Sequence, residues 1–175
     1  MRHDTGELST EQDDLFRLLD ILEQKKIPYW LEGGWGVDAV LGKQTREHRD
    51  ADIDFDRTRL AELRETLEKE EYRVTTDWLP CRLEMTHDQR GYVDLHPLFI
   101  HSNGSAEQAG VQGEVYPFPR EIFSVGQIAG RPIPCISAAG QIEFHKGYDW
   151  REKDRMDVEN LHAFLAMQAE NKQKK

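Results

Sequence analysis

Residues 27–56 read IPYWLEGGWGVDAVLGKQTREHRDADIDFD, and the residue types with chemistry in them fall at two ends of that stretch. Gly33 and Gly34 follow an aromatic and aliphatic run. Glycine lets backbone N–H groups approach an anion closely, and a helix opened by such a turn favours negative charge at its start. At the other end Asp50, Asp52 and Asp54 alternate with Ala51, Ile53 and Phe55, which puts the three aspartates on one face of a strand. Same-face carboxylates suit Mg²⁺, a hard cation that takes oxygen ligands and bridges to phosphate oxygens. On this chemistry the metal pair is either Asp50 with Asp52 or Asp52 with Asp54. The layout is one for holding a phosphate chain at the glycines and a divalent metal at the aspartates.

Two later carboxylates could join them. Asp94, in Tyr92-Val93-Asp94-Leu95-His96-Pro97, and Glu84, in Leu83-Glu84-Met85, both lie between apolar neighbours, where an unpaired carboxylate is costly. A third carboxylate can complete a metal site or take a proton from an attacking hydroxyl. Asp94 is the favoured third carboxylate, Glu84 is a group behind the site or a contact for the substrate, and either of the two could be the general base. Arg46, His48 and Arg49, just before the aspartates, are candidate phosphate contacts, because a nearby cation stabilises charge developing on pyrophosphate.

Spacing separates the competing motifs. A Walker A loop needs four residues between its glycines and then Lys-Ser/Thr, whereas five lie between Gly36 and Gly42, and Gln44 follows Lys43. An EF-hand loop from Asp50 would need Gly and Glu where Phe55 and Ala61 stand. Gly34, Gly36 and Ala39 do fit a dinucleotide fingerprint, but the helix stops early at Gly42, and a carboxylate at every second position does not suit a strand buried on both faces. A glycine pair, D-x-D on the next strand and a later carboxylate form the pattern of a nucleotidyltransferase site.

The elements that must position these residues follow from periodicity. Ser9 and Gln12 make a capping box for a helix over 10–25, with Leu15, Leu18, Leu19 and Leu22 as its buried stripe. A strand leads into Gly33, a short helix runs to Gly42, and the Asp-rich strand spans 50–55. A charged helix over 57–71 and three strands, 72–79, 81–87 and 92–100, come next. Residues 101–113 have the composition of a mobile loop. Short extended pieces are expected at 114–118 and 127–136, and helices at 137–148 and 154–169, with the last residues fraying. The expected fold is α+β (mixed α/β): a single domain over 1–175 with a central mixed sheet over about 27–136, flanked by helices, and a small C-terminal helical segment over about 137–169.

With 33 acidic against 23 basic residues the formal charge is −10, which argues against a nucleic-acid partner and fits a cationic small molecule. Cys81 and Cys135 show no metal or redox spacing, and His87, His96, His101, His145 and His162 form no metal-ligand pattern with them. Trp30, Trp35, Trp78 and Trp150 are candidate walls of a pocket. The N-terminal stretch lacks an apolar core and no run is long enough to span a bilayer, so a soluble cytoplasmic protein with no membrane partner is expected.

The stretches Trp30-Leu31-Glu32-Gly33-Gly34-Trp35-Gly36-Val37-Asp38 and Arg46-Glu47-His48-Arg49-Asp50-Ala51-Asp52-Ile53-Asp54-Phe55-Asp56 resemble those of the small antibiotic nucleotidyltransferases. The lincosamide nucleotidyltransferases are the nearer group and the aminoglycoside 2''-nucleotidyltransferases the more distant. Tyr92 to Pro97, Ile133 to Ser137 and Phe144 to Asp149 extend the resemblance over most of the chain. It implies the nucleotidyltransferase fold, with Gly33 and Gly34 on the triphosphate, Asp50 and Asp52 on Mg²⁺, and Asp94 as the third carboxylate. Asp54 would then be a group behind the metal or facing solvent. The implied reaction is Mg²⁺-dependent transfer of AMP from ATP to a lincosamide hydroxyl, with two metal ions, ATP as co-substrate, Glu84 and Glu143 lining the drug pocket, and a homodimer. The alternatives are an aminoglycoside substrate, or a toxin-like or non-catalytic nucleotide-binding protein.

Overall fold

A computed structural model describes residues 8–174 of the protein. The first part of the polar N-terminal stretch and the final residue of the tail lie outside the described residues.

The elements run α1 (Gln12–Gln24), β1 (Tyr29–Glu32), α2 (Gly33–Leu41), β2 (Asp50–Asp56), α3 (Leu60–Lys69), β3 (Arg73–Trp78), β4 (Arg82–His87), β5 (Gly91–Ile100), β6 (Ala106–Ala109), β7 (Val115–Phe118), β8 (Phe123–Ile128), β9 (Arg131–Ile136), α4 (Ala138–Phe144) and α5 (Glu152–Gln173). The strands form one mixed sheet in the order β3-β4-β5-β2-β1-β9-β8, with β6 added to β5 and β7 to β6. β2 runs parallel to β5 and β1 parallel to β9, while every other pairing is antiparallel.

Period-two alternation sorts the central strands into two faces. Ala51, Ile53 and Phe55 of β2, Val93 and Leu95 of β5 and Leu83 and Met85 of β4 pack with Leu15, Leu18, Leu19 and Leu22 of α1 and Leu63 and Leu67 of α3 in the main core. Each such side chain, once fully buried, contributes about 1.5–3 kcal/mol. The aspartates of β2 thereby turn to the opposite face. A second cluster of Val37, Ala138 and Leu161 holds α2, α4 and α5 together, so the helix that opens at the glycines is fixed by the C-terminal helices. Among the described residues no helix is long and apolar enough to cross a membrane.

The structure departs from the sequence expectations in several places. Ser9 and Gln12 make no capping box; α1 starts at Gln12 behind Glu11, whose side chain caps nothing. Thr10 instead ties the strand ends together: its hydroxyl donates to the carbonyl of Tyr92 at 2.8 Å and receives the Tyr92 N–H at 3.0 Å, while its own N–H reaches the His48 carbonyl at 3.0 Å. Residues 101–113 are not one loop, because β6 pairs with both β5 and β7 and its polar residues are supported by backbone hydrogen bonds rather than burial. The extended piece expected at 127–136 is a hairpin, β8 and β9, beginning at Phe123. α5 starts at Glu152 and continues to Gln173, past the end expected at 169 and into the last residues expected to fray.

Thr10→Val keeps the shape but removes both hydrogen bonds to Tyr92. Urea unfolding is expected to show a loss of about 1–3 kcal/mol, and an unchanged midpoint would mean the bridge adds nothing.

Candidate active site

The strand register builds a row of carboxylates. Glu32 on β1 pairs with Asp52 on β2, Asp52 with Asp94 on β5, and Asp94 with Glu84 on β4, so four acids face the same side across four adjacent strands. Neighbouring strands stand about 4.8 Å apart, which forces these groups together. Asp50 lies two residues along β2 on one side of the row, and Asp54, paired in register with His96, lies on the other.

β1 ends at Glu32 and the chain turns immediately at Gly33, whose φ of +59° is the left-handed region that disfavours side chains. A Cβ there would come within 2.2 Å of Asp52 Oδ2, and one on Gly34 within 2.2 Å of His48 Nδ1. The glycine pair is therefore dictated by the carboxylate row and the 42–49 loop pressing on the helix start, as well as being suited to an anion. Gly33, Gly34, Arg46, His48, Arg49, Asp50, Asp52 and Asp94 all line one polar cavity of about 520 Å³, with Arg82, Arg151 and Lys153 also on its walls. The structure thus gathers these eight phosphate and metal candidates, and leaves out Asp54, the other possible metal partner of Asp52.

The electrostatics reflect crowding of like charge. Burial, reinforced by the Asp52 carboxylate, raises the Asp94 pKa to about 6, against the lowering pull of His96. Burial and then Asp52 likewise raise Asp50, and burial and then Glu32 hold Asp54 well above the usual carboxylate range. Glu32 is raised by burial first, with Asp52 adding to it and His96 opposing. Burial disfavours the charged form of His96, yet Glu32, Asp52 and Asp94 outweigh it and keep its pKa well above the ordinary value. Its Nε2 lies 3.3 Å from Asp52 Oδ1 and 3.5 Å from Glu32 Oε1, and the Gln108 carboxamide lies 3.1 Å from Nδ1.

Cations finish the row at its other end. Arg49 donates to Asp50 at 2.8 Å and through both terminal nitrogens to Glu84 Oε2 at 3.0 Å, with its guanidinium 3.8 Å above the Tyr92 ring. Although burial opposes it, hydrogen bonding from Arg49 and Thr75 lowers the Glu84 pKa. Arg82 Nε sits 3.2 Å from Asp94 Oδ1 but out of line for a hydrogen bond, so that buried oxygen has no hydrogen-bond partner. Both Asp54 oxygens are also buried, beside the Glu32 carboxyl. A solvent-facing Asp54 is thereby overturned: the residue is fully buried, because its rung lies between Trp30 and His96 rather than at the cavity.

The oxygen-rich, same-face set fits a hard cation. Asp50, Asp52 and Asp94 offer oxygens alone, and Asp94 carries an orphaned one. The tightest potential ligand cluster is different: Glu32, Asp52 and His96 bring their ligand atoms within 4.8 Å of one another. Glu32 and His96 were missed by spacing-based reading. The signal was present, since Glu32 immediately precedes the glycine pair and His96 continues the period-two face of Asp94.

A second, more apolar cavity of about 500 Å³ adjoins the first through Glu32 and Phe144 and is walled by Tyr116, Phe118, Gln108 and Glu143. Glu143 is therefore near the site, whereas Glu84 lines neither of these cavities. The tryptophans do not wall either cavity; Trp35 is wholly buried in the core, and the aromatic walls are Tyr116, Phe118 and Phe144.

Comparisons with known proteins follow the same lines. A family model described as Aminoglycoside-2''-adenylyltransferase matches residues 14–161. The lincosamide resistance protein of Staphylococcus haemolyticus is 45% identical over 150 residues, which is 86% of this chain and 93% of that protein. A 2''-aminoglycoside nucleotidyltransferase of Klebsiella pneumoniae is 31% identical over 129 residues, 74% of this chain and 69% of that protein. The crystal structure of the lincosamide antibiotic adenylyltransferase LnuA with lincomycin bound matches at a TM-score of 0.83 and 43% identity, over 89% of this chain and 99% of that one. The mixed sheet flanked by helices is thus the nucleotidyltransferase fold of that enzyme.

The raised pKa values set the pH dependence of metal-free stability. Asp94 binds its proton more tightly folded, at about 6, than unfolded, where carboxylates titrate near 4. Stability therefore falls as pH rises through that window. His96 acts in the same direction: its contribution is full below about 6.5 and lost as pH rises through its folded value. In EDTA, thermal melting is expected a few degrees higher at pH 5.5 than at pH 7.5; the reverse order would contradict these protonation states.

Proposed function

The chain belongs to the aminoglycoside-2''-adenylyltransferase family of antibiotic nucleotidyltransferases, and from that premise we propose that it transfers AMP from ATP to a hydroxyl of a lincosamide such as lincomycin or clindamycin, releasing pyrophosphate. The observation that carries this reading is the pair of adjoining cavities, one polar and built from the glycine turn and carboxylates, the other aromatic-walled, meeting at Glu32 and Phe144. Higher identity to the lincosamide relative than to the aminoglycoside relatives supports the choice of drug.

In this reading the triphosphate lies against Gly33, Gly34 and the start of α2, where backbone N–H groups and the helix dipole favour an anion. Arg46 and Arg49 add positive charge from the cavity wall. Asp50, Asp52 and Asp94 hold Mg²⁺, as two ions. The protonated His96 occupies the Glu32 side of the row as a fixed cation, which leaves the oxygen-only side for the metal. Bound there, Mg²⁺ would withdraw charge from the phosphate oxygens. The acceptor hydroxyl attacks the α-phosphorus in line, a new P–O bond forms as the bond to pyrophosphate breaks, and the hydroxyl proton passes to Asp94.

The acceptor occupies the second cavity. Tyr116, Phe118 and Phe144 cover its apolar surface, and Glu143 faces the basic amine of a lincosamide. An aminoglycoside, being a polycation, calls for more carboxylates than this cavity supplies, since Glu32 lies beside His96 and Glu143 is paired with Lys146. ATP supply makes the cytoplasm the site of action. A homodimer belongs to the same reading, with a second copy covering the exposed Val111, Val115 and Tyr116 beside this cavity; a monomeric mass by light scattering would remove it.

Incubation with ATP, Mg²⁺ and lincomycin should add one AMP mass to the drug, and EDTA should abolish the product. No adduct, or faster turnover of kanamycin than of lincomycin, would sink the lincosamide assignment. In the same assay Asp94→Asn is expected to lower kcat by about 10²–10⁴, and Glu143→Gln to raise KM for lincomycin roughly tenfold with KM for ATP unchanged.

A further inference from the structure

A chain of buried polar side chains runs behind the glycine turn and takes no part in the carboxylate row. Asp38, on α2 and wholly buried, accepts through Oδ1 from the Thr45 hydroxyl at 2.6 Å and the Thr45 N–H at 3.1 Å. Its Oδ2 lies 2.5 Å from His48 Nε2. The other nitrogen of that ring, Nδ1, is 2.9 Å from Arg46 Nη1. A guanidinium can only donate, so Nδ1 accepts and the ring proton sits on Nε2, given to Asp38. Arg46 in turn grips Asp157 on α5 in a fork, Nη2 to Oδ2 at 2.7 Å and Nε to Oδ1 at 3.2 Å. The chain thus runs Thr45, Asp38, His48, Arg46, Asp157, and its last link spans 111 residues of sequence.

The donors of Arg46 can be accounted for one by one. Nε and one Nη2 hydrogen go to Asp157, and the two Nη1 hydrogens go to His48 Nδ1 and, at 3.2 Å, the Glu47 carbonyl. Of the five N–H groups of a guanidinium, one is left, on Nη2. That nitrogen would lie 2.7 Å from a Cβ on Gly34, at the first turn of α2. The side chain is partly exposed to the polar cavity while Asp157 beneath it is almost fully buried.

We propose that Asp157 and Asp38 are positioning residues that hold Arg46 beside the glycine turn with one N–H reserved for the polyphosphate of the nucleotide. This rests on the functional reading above. A free arginine would lose side-chain freedom each time a nucleotide bound; here the fork and the His48 contact have already fixed it, so the positive charge meets the phosphate without reorganisation. Because Asp157 belongs to α5, nucleotide affinity becomes dependent on the docking of the C-terminal helix.

The test is a cycle of variants read in two ways, by the dissociation constant for ATP with Mg²⁺ from calorimetry and by KM for lincomycin. Asp157→Asn is expected to weaken ATP binding about ten- to a hundredfold, with KM for lincomycin within about twofold. In an Arg46→Gln background the same change should weaken ATP no further, since Asp157 acts through Arg46. Multiplicative losses, or equal losses for ATP and drug, would overturn the proposal. Melting temperatures report whether Asp157→Asn folds. If it does not, Arg46→Lys decides, because it keeps the charge but loses the fork: weaker ATP binding with unchanged KM for lincomycin supports the proposal, and wild-type ATP affinity overturns it. Wild-type protein that binds ATP yet leaves lincomycin unmodified defeats the drug assignment alone, and the ATP constants still judge Arg46; wild-type protein that binds no ATP defeats both.

Discussion

The constraint on which the rest of the molecule depends is electrostatic. The register of β1, β2, β5 and β4 brings Glu32, Asp52, Asp94 and Glu84 side by side, with Asp50 and Asp54 on the adjoining rungs. Such a row cannot be fully ionised at low cost in a half-buried site. The fold meets this from both ends. His96 lies between Glu32 and Asp52 with its pKa well above the ordinary value, Arg49 and Arg82 lie over Glu84 and Asp94, and burial raises the pKa of Asp54. The middle, Asp50, Asp52 and Asp94, is the part that opens on the polar cavity, each acid with a cationic neighbour in Arg49, His96 or Arg82. A site that is strained by its own charge is one that a divalent cation relieves.

The same row dictates its surroundings. Asp52 leaves no room for a side chain at residue 33, so the turn out of β1 must be glycine, and that turn starts α2 directly beside the carboxylates. α2 then cannot drift, because Val37 packs on Ala138 and Leu161, and Asp38 bonds the loop that leads into β2. The anion-favouring helix start and the cation-favouring carboxylates are two consequences of one pairing, Glu32 opposite Asp52.

Much of this was legible in the sequence because it depends on period-two alternation and on glycine. The Asp face of β2, the apolar face opposite, the stop at Gly42 and the third carboxylate on a later strand all follow from local pattern. What was not legible depends on register, which a single strand does not encode. That Glu32 stands opposite Asp52, and that His96 lies against both, needs the partner strands to be placed. Asp54 shares the pattern of its neighbours and differs only in being roofed by Trp30 and His96 on its rung. β6 escaped for another reason: Ala106–Ala109 is AEQA, with no strand propensity to speak of, and it is extended because β5 and β7 supply its hydrogen bonds. Likewise the Asp157 contact with Arg46 spans 111 residues of sequence, and no local signal announces it.

Net charge misleads in an instructive way here. A formal charge of −10 would seem to repel a triphosphate, yet Arg46, Arg49, Arg82, Arg151 and Lys153 all border the polar cavity. At physiological ionic strength exposed charges are screened beyond about 8 Å, so a bound anion responds to these neighbours far more than to acids on α3 or the tail. The second cavity differs in its walls: its charged groups are Glu32, His96, Glu143 and Lys146, the last paired with Glu143 at 2.6 Å, and they stand among the aromatic rings of Tyr116, Phe118 and Phe144. The same row separates the two later carboxylates: Asp94, two strands from Glu32, lines the polar cavity, whereas Glu84, one strand further, is already occupied by Arg49 and Thr75.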